Sequence, residues 1–258
     1  MPGRLPLEPG ARYVALGSSF AAGSGIAPMS GGLCLRSDHD YPHRVAAALD
    51  LELIDVTCSG ATVANVRDTP QNGAAAQSDA VTADTALISL TVGGNDLGYT
   101  TLAGECGNPA AAPCVVDAST LEPKVAQLRA DLTALIEELQ ARAPSAVVVL
   151  VTYPVVANPP DCAALGFAPD EAALVASVGE SLQDVLVDVA ARTGVLLVDP
   201  YAASDGHGPC APDGERWVEG LVAKGTFPYH PTAAGHAAMA QLVLDALATA
   251  APPQRAAP

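Results

Sequence analysis

Five short apolar runs recur along the chain, with longer amphipathic stretches between them. The runs are RYVALG (12–17), LELIDV (51–56), ALISLTV (86–92), AVVVLVT (146–152) and VLLVD (195–199). They lack a strict alternation of apolar and polar positions, as expected of strands that are covered on both faces. The sequence therefore predicts five buried strands.

The stretches between these runs carry apolar residues at spacings of three and four, which is the helical period. This pattern predicts a helix over 121–142, with Pro123 in its first turn. A second helix is predicted after Pro169, with Asp170 as its N-cap. The last helix is predicted to begin at about Thr232.

Strands that alternate with helices predict an α/β fold, a three-layer α/β/α sandwich around a five-stranded parallel sheet. No linker or internal repeat divides the chain, so we expect one domain over residues 1–258, frayed at about 1–10 and 251–258. The working topology is the flavodoxin-like strand order 2-1-3-4-5. In such a sheet the loops after the carboxyl ends of the strands share one rim, where ligands bind.

The six cysteines all fall in the predicted rim loops, and none forms a Cys-x-x-Cys pair that would indicate zinc or a thioredoxin-type site. Disulfides in an oxidising compartment are the favoured interpretation, and six buried thiols in a cytosolic enzyme are the alternative. If the strand order is 2-1-3-4-5, one connectivity needs no loop to cross the sheet. It joins Cys34 to Cys58, Cys106 to Cys114, and Cys162 to Cys210.

The charge of the chain argues against two classes of partner. Twelve basic and 28 acidic residues give a formal net charge of -16, the wrong sign for binding a phosphate backbone or an anionic membrane surface. No apolar run approaches the ~20 residues of a membrane span, and the first residues contain no apolar signal core. We therefore expect no nucleic-acid partner, no stable membrane insertion and, for an exported protein, a signal that is absent from this sequence.

Four segments at the predicted rim offer the groups that acyl transfer needs: a nucleophile, a base and donors for a developing oxyanion. The segments are GSSFAAG, CSGATVANV and TVGGNDLG, after the first three strands, and TFPYHPTAAGHAAMA, before the last helix. Ser19 is the candidate nucleophile and His230 the candidate base. The candidate oxyanion donors are the backbone N–H groups of Ser19 and Gly60 and the side-chain amide of Asn95.

Each of these candidates also has a simpler interpretation. Ser18 is a rival nucleophile, although hydrogen bonding within the turn suits it better. Asn95 could cap a turn, and Gly60 could serve only a positive φ, a role that is compatible with donating its N–H. The occurrence of all four segments at one rim favours the catalytic interpretation.

Ser, Gly, GGND and HPTAAGH, in this order, resemble the four sequence blocks of the SGNH (GDSL-type) hydrolase superfamily. The six cysteines and SDGHGPCAPDGERWVEG (204–220) are most similar to the secreted lipases and esterases of actinobacteria. The resemblance implies a three-layer α/β/α fold, the same three disulfides, and ester hydrolysis without a metal or an organic cofactor. A small-molecule or lipid ester is the expected substrate. For the oligomeric state, which this chain alone leaves open, a monomer is the default expectation.

Two positions depart from the family pattern. The first block usually reads Gly-Asp-Ser, whereas Ser18 stands here at the aspartate position. A carboxylate often lies three residues before the histidine, and that position is Phe227 here. We therefore expect a Ser-His dyad in which the carbonyl of Phe227, or as the alternative that of Pro228, accepts a hydrogen bond from His230 Nδ1.

The sequence thus predicts a secreted serine ester hydrolase, an esterase or lipase that works through an acyl-enzyme. A carbohydrate deacetylase or a phospholipase built on the same site is the alternative within enzymes, because sequence does not position the loops that select the leaving group. A binding protein that kept the fold without turnover is the alternative from another class, motivated by the missing carboxylate.

Overall fold

A parallel sheet forms the centre of the fold. The computed structural model describes residues 7–108, 114, 115, 117–157 and 162–250. Its main strands are β1 (Arg12–Gly17), β2 (Glu52–Asp55), β3 (Thr85–Thr91), β4 (Val147–Val151) and β5 (Leu196–Val198). They lie in the order β2-β1-β3-β4-β5, and each neighbouring pair is parallel. The predicted strand order is confirmed.

Helices of very different lengths connect these strands. They are α1 (Ser19–Ala22), α2 (Tyr41–Leu49), α3 (Val63–Arg67), α4 (Gly94–Leu97), α5 (Tyr99–Cys106), α6 (Ala118–Arg142), α7 (Pro169–Thr193), α8 (Pro200–Ala203) and α9 (Ala233–Thr249). Two 3-10 turns (Gly32–Cys34 and Gln77–Ala80) and an antiparallel ribbon (Met29–Ser30 with Arg36–Ser37) complete the regular structure of the described residues. None of these helices is both long and apolar enough to cross a membrane.

The two faces of the sheet are covered by different helices. Val14 and Leu16 of β1 belong to the core formed with α3, α6 and α7. Tyr13 and Ala15 of the same strand point the other way, into the core formed with α2 and α9. All four residues are completely buried. Burial on both faces explains why the strands are continuously apolar, and it confirms the predicted three-layer sandwich.

The helix α6 begins earlier than the apolar pattern predicts. Asp117 is its N-cap, and its carboxylate accepts a hydrogen bond from Ser119 N–H at 2.8 Å. Pro123 consequently lies in the second turn, so its predicted place in the first turn was wrong. The prediction failed because it counted from the first apolar residue, whereas the polar cap fixes the start of a helix.

The N-cap predicted for α7 was also wrong. Ala168 is the N-cap, and Pro169 takes the first helical position, where its missing N–H costs nothing. The Glu171 side chain accepts from Ala168 N–H at 2.8 Å, so an acidic residue other than Asp170 stabilises this end. The start of α9 agrees with its prediction, because Thr232 Oγ1 accepts from Gly235 N–H at 3.0 Å.

The fraying predicted for the two ends falls mostly on residues 1–6 and 251–258, which lie outside the described residues. Residues 7–10 are described and form a turn before β1. Gly10 N–H donates to the carbonyl of Asp50 at 2.6 Å, and this bond holds the chain against the end of α2.

Three disulfides brace the loops at the carboxyl rim of the sheet. They join Cys34 to Cys58, Cys106 to Cys114, and Cys162 to Cys210, and no cysteine is free. The first links the loops after β1 and β2, and the third links the loops after β4 and β5. The predicted pairing is confirmed.

Loss of the Cys162–Cys210 bridge is expected to lower the free energy of unfolding more than loss of Cys106–Cys114. The two bridges span 48 and 8 residues, so their entropic contributions are about 4 and about 2.5 kcal/mol. Urea unfolding of the two double Cys→Ser variants beside the oxidised wild type measures both losses. Equal losses, or a larger loss for the short loop, would contradict this ordering.

Candidate active site

The turn after β1 presents Ser19 at the carboxyl edge of the sheet. The strand ends at Gly17, where φ is 137° and a Cβ would lie 2.3 Å from the carbonyl oxygen of Thr91, so only glycine fits. The side-chain amide of Gln77 fixes this residue further. It accepts from Gly17 N–H at 2.7 Å and donates to the Gly17 carbonyl at 3.0 Å. Ser19, two residues later, is the first residue of α1.

Ser19 and His230 come together although 211 positions separate them in sequence. Ser19 Oγ lies 2.8 Å from His230 Nε2, and His230 Nδ1 lies 2.8 Å from the carbonyl oxygen of Pro228. A carbonyl only accepts, so Nδ1 carries the proton of the neutral ring and Nε2 is the acceptor. The serine hydroxyl therefore donates to the imidazole, which is the arrangement of a nucleophile and its general base.

The carbonyl predicted to orient His230, that of Phe227, is not the acceptor of Nδ1, and the alternative, Pro228, is. The reason is a turn over residues 227–230, in which the Phe227 carbonyl accepts from the backbone N–H of His230 at 3.2 Å. That bond leaves the next carbonyl to meet the ring. Among the described residues no carboxylate forms a hydrogen bond or an ion pair with the imidazole.

The backbone around His230 is held by Tyr229. Its φ of 58° is in the left-handed region, unusual for a side chain of this size. The Tyr229 hydroxyl donates to the carbonyl of Leu165 at 2.7 Å, and its ring stacks on Phe167 with centroids 5.2 Å apart. The His230 carbonyl accepts from Glu219 N–H at 3.0 Å. These contacts fix the direction in which the imidazole leaves the chain.

Burial lowers the pKa of His230 from 6.5, and the hydrogen bond to the Pro228 carbonyl only partly opposes this effect. The apolar neighbours are the rings of Phe20, with its centroid 5.1 Å away, and Phe227, edge-on at 5.9 Å. The imidazole is therefore neutral at neutral pH. This is the form that can take a proton from a serine hydroxyl.

The pH profile of ester hydrolysis is expected to reflect this shift. A general base works only when it is unprotonated, so kcat/KM should fall as acidification protonates His230. Because the pKa of His230 is lowered, the midpoint of this fall should lie below the 6.5 of an ordinary imidazole. Initial rates with p-nitrophenyl butyrate from acidic to neutral pH, with circular dichroism to verify folding, measure it. A midpoint at or above that value would contradict the expectation.

The candidate oxyanion donors lie on three segments of the same rim. Ser19 is the first residue of α1, and Gly60 has a φ of 79°. Neither backbone N–H donates to an acceptor within the described residues. Asn95 Nδ2 donates to the carbonyl of Ala61 at 2.9 Å. An amide nitrogen carries two protons, so one remains for a substrate oxygen while the other holds the loop that contains Gly60.

Asp96 strengthens the same connection between segments. Its carboxylate accepts from Val63 N–H at 3.1 Å and thereby satisfies an N–H group at the start of α3. Asn95 and Asp96 thus attach α4 to the segment that runs from Cys58 to the start of α3. These contacts hold the segments of two candidate oxyanion donors, Gly60 and Asn95, to each other.

Ser18, the rival nucleophile, contacts Tyr153, whereas the imidazole contacts Ser19. Ser18 is buried, its N–H donates to the Thr91 carbonyl at 2.9 Å, and its Oγ lies 3.2 Å from the Tyr153 hydroxyl. Two residues with structural roles at the site, Gln77 and Tyr153, escaped prediction. Tyr153 follows β4 at the same rim, and this position was a usable signal. Nothing local marked Gln77, because its partner lies 60 positions away.

Comparison with known proteins assigns the chain to a family. Residues 15–238 match the GDSL-like lipase/acylhydrolase family. The chain belongs to this family. Lipase 2 of Streptomyces coelicolor is 34% identical to this GDSL-like hydrolase over 253 residues, which is 91% of this chain and 85% of that protein. The family predicted from the four sequence blocks is therefore confirmed.

Solved structures of similar proteins agree with the fold of this GDSL-like hydrolase. The extracellular lipase from Streptomyces rimosus superposes with a TM-score of 0.73 at 26% identity, covering 92% of this chain and 99% of that one. Phospholipase A1 from Streptomyces albidoflavus has the same TM-score and coverage at 27% identity. The protein is accordingly a carboxylic ester hydrolase with the predicted α/β fold.

Proposed function

We propose that this protein is a secreted serine esterase or lipase that cleaves acyl esters with a dyad of Ser19 and His230. The observation that carries the proposal is the hydrogen bond of 2.8 Å between Ser19 Oγ and His230 Nε2, with Nδ1 held by a backbone carbonyl. Secretion is supported by the three disulfides and by the similarity to an extracellular lipase.

The first half of the reaction forms an acyl-enzyme. Ser19 Oγ attacks the ester carbonyl carbon while its proton moves to His230 Nε2, and the carbonyl oxygen becomes an oxyanion. The N–H groups of Ser19 and Gly60 and the free amide proton of Asn95 stabilise that oxyanion. The tetrahedral intermediate then collapses, the bond to the leaving oxygen breaks, and Nε2 returns the proton to release the alcohol.

The second half repeats these roles with water as the nucleophile. Water attacks the acyl carbon, its proton moves to His230 Nε2, and the same donors hold the new oxyanion. Collapse breaks the bond between the acyl carbon and Ser19 Oγ, which takes the proton back from Nε2. The products are a carboxylic acid and the restored hydroxyl, so the cycle needs neither metal nor organic cofactor.

A backbone carbonyl supports the imidazolium of both transition states less strongly than a carboxylate would. The difference between a neutral and a charge-assisted hydrogen bond is about 1–2 kcal/mol, or roughly tenfold in rate. This cost is small beside the effect of a general base, about 10²–10⁴-fold. The missing carboxylate is therefore compatible with turnover, which argues against a binding protein without activity.

Hydrolysis of p-nitrophenyl esters from acetate to palmitate by the purified, oxidised protein tests the proposal. We expect release of p-nitrophenol from this series. Phospholipid vesicles and acetylated xylan serve as further substrates, since dominant activity on either would assign the alternative phospholipase or deacetylase. A folded, oxidised protein that releases p-nitrophenol from none of the esters would contradict the proposed function.

A further inference from the structure

The hydroxyl of Tyr153 connects two segments that carry catalytic groups. It accepts a hydrogen bond from Gly94 N–H at 3.1 Å and lies 3.2 Å from Ser18 Oγ. Ser18 directly precedes Ser19, and Gly94 directly precedes Asn95. A single hydroxyl thus joins the residue before the nucleophile to the residue before the amide donor.

A phenol can make two hydrogen bonds at once, and both are present at Tyr153. Its oxygen accepts from Gly94 N–H, and it shares a second hydrogen bond with the Ser18 hydroxyl, in which either oxygen can be the donor. Tyr153 is only 3% exposed, and burial raises its pKa to about 12. The Tyr153 hydroxyl therefore stays protonated, and its hydrogen bond with the Ser18 hydroxyl persists across the working pH range.

Packing fixes the tyrosine ring so that its hydroxyl has little freedom. The ring centroid lies 4.7 Å from that of Phe20, whose other neighbour is the imidazole of His230. A Cβ at position 94 would lie 3.0 Å from the same ring, so the backbone of Gly94 is in close contact with it. The Tyr153 hydroxyl therefore contacts both the turn of Ser18 and the turn of Gly94, and a movement of one turn relative to the other would break one of its two hydrogen bonds.

We propose that Tyr153 is a positioning residue for ester hydrolysis, an inference that rests on the proposed function. Through Ser18 and Gly94 it fixes the distance between the Ser19 turn and the Asn95 amide. The position of Ser18 is one of the two departures from the family pattern, and in this chain its short side chain ends at the Tyr153 hydroxyl. Donors that must meet an oxyanion tolerate little displacement, so loss of this link should weaken transition-state binding.

Replacement of Tyr153 by phenylalanine tests the proposal, because it keeps the ring and removes only the hydroxyl. We expect kcat for p-nitrophenyl butyrate to fall about tenfold with KM changed by less than about twofold, since donors are displaced but not removed. The matched control is Tyr13→Phe. Tyr13 is completely buried and its hydroxyl lies 2.7 Å from Ser89 Oγ, in the core that packs on α2 and α9. The control should lower Tm and leave kcat unchanged.

Ser18→Ala provides a second variant that breaks the same link with a smaller change. The double variant Ser18→Ala with Tyr153→Phe should lose no more in kcat than Tyr153→Phe alone, because both single changes remove one connection. A folded Tyr153→Phe protein with wild-type kcat, or a loss equal to that of Tyr13→Phe, would overturn the proposal. A wild-type protein without esterase activity would instead overturn the proposed function, and this role with it.

Discussion

Replacement of Ser19 by alanine is expected to abolish ester hydrolysis, lowering kcat by about four to six orders of magnitude. The reason is geometric: Ser19 Oγ is the hydroxyl that donates to His230 Nε2, at 2.8 Å. Without it the imidazole has no nucleophile to deprotonate at that position, and only binding and the oxyanion donors remain. Steady-state rates with p-nitrophenyl butyrate measure the loss, and mass spectrometry after treatment with a fluorophosphonate detects the covalent adduct.

The neighbouring serine supplies the control. Ser18→Ala should still be labelled by the fluorophosphonate, because the Ser18 Oγ that it lacks contacts Tyr153 and not the imidazole. Labelling should be slower than in wild type, because the proposed link through Tyr153 is broken. The adduct should map to the peptide that contains residue 19 in both wild type and Ser18→Ala, and Ser19→Ala should remain unlabelled. An adduct on Ser19→Ala would assign the nucleophile to Ser18 and contradict the dyad.

The scaffold of the site was predictable because it depends on rules that act over the whole chain. Parallel strands place all their carboxyl ends on one rim, so the order β2-β1-β3-β4-β5 also dictated which cysteines could pair. The same rule brought the segments of Ser19, Gly60, Asn95 and His230 to one edge. Apolar runs are enough to locate such strands, since burial on both faces suppresses polar positions.

The details that were wrong or missed depend on single hydrogen bonds between remote or flanking residues. The acceptor of His230 Nδ1 is the Pro228 carbonyl and not the predicted Phe227 carbonyl. The reason is a single hydrogen bond, in which the Phe227 carbonyl already accepts from the backbone N–H of His230. Tyr153 and Gln77 act through hydroxyl and amide groups whose partners are 135 and 60 positions away. Neither periodicity nor a family motif specifies such contacts.

Asn95→Ala is the second substitution with a large expected effect, a fall in kcat of about 10²–10³-fold with little change in KM. In the proposed mechanism the amide meets the oxyanion and not the ground-state carbonyl, so its loss should weaken binding of the transition state alone. Nδ2 also donates to the Ala61 carbonyl at 2.9 Å, and the substitution therefore loosens the loop that carries Gly60. Rates with p-nitrophenyl butyrate, beside the Tm of each protein, measure both consequences.

Asp96→Ala separates the two roles of Asn95, which are holding the loop and donating to the oxyanion. Asp96 also holds α4 to the neighbouring segment, by accepting from Val63 N–H, but its carboxylate offers no donor to the substrate. We expect Asp96→Ala to lower Tm by as much as Asn95→Ala while kcat falls far less. If kcat falls equally in both, Asn95 acts only by holding the loop, and the oxyanion is bound by backbone N–H groups alone. A much larger fall for Asn95→Ala at equal Tm is the signature of a donor that the transition state contacts directly.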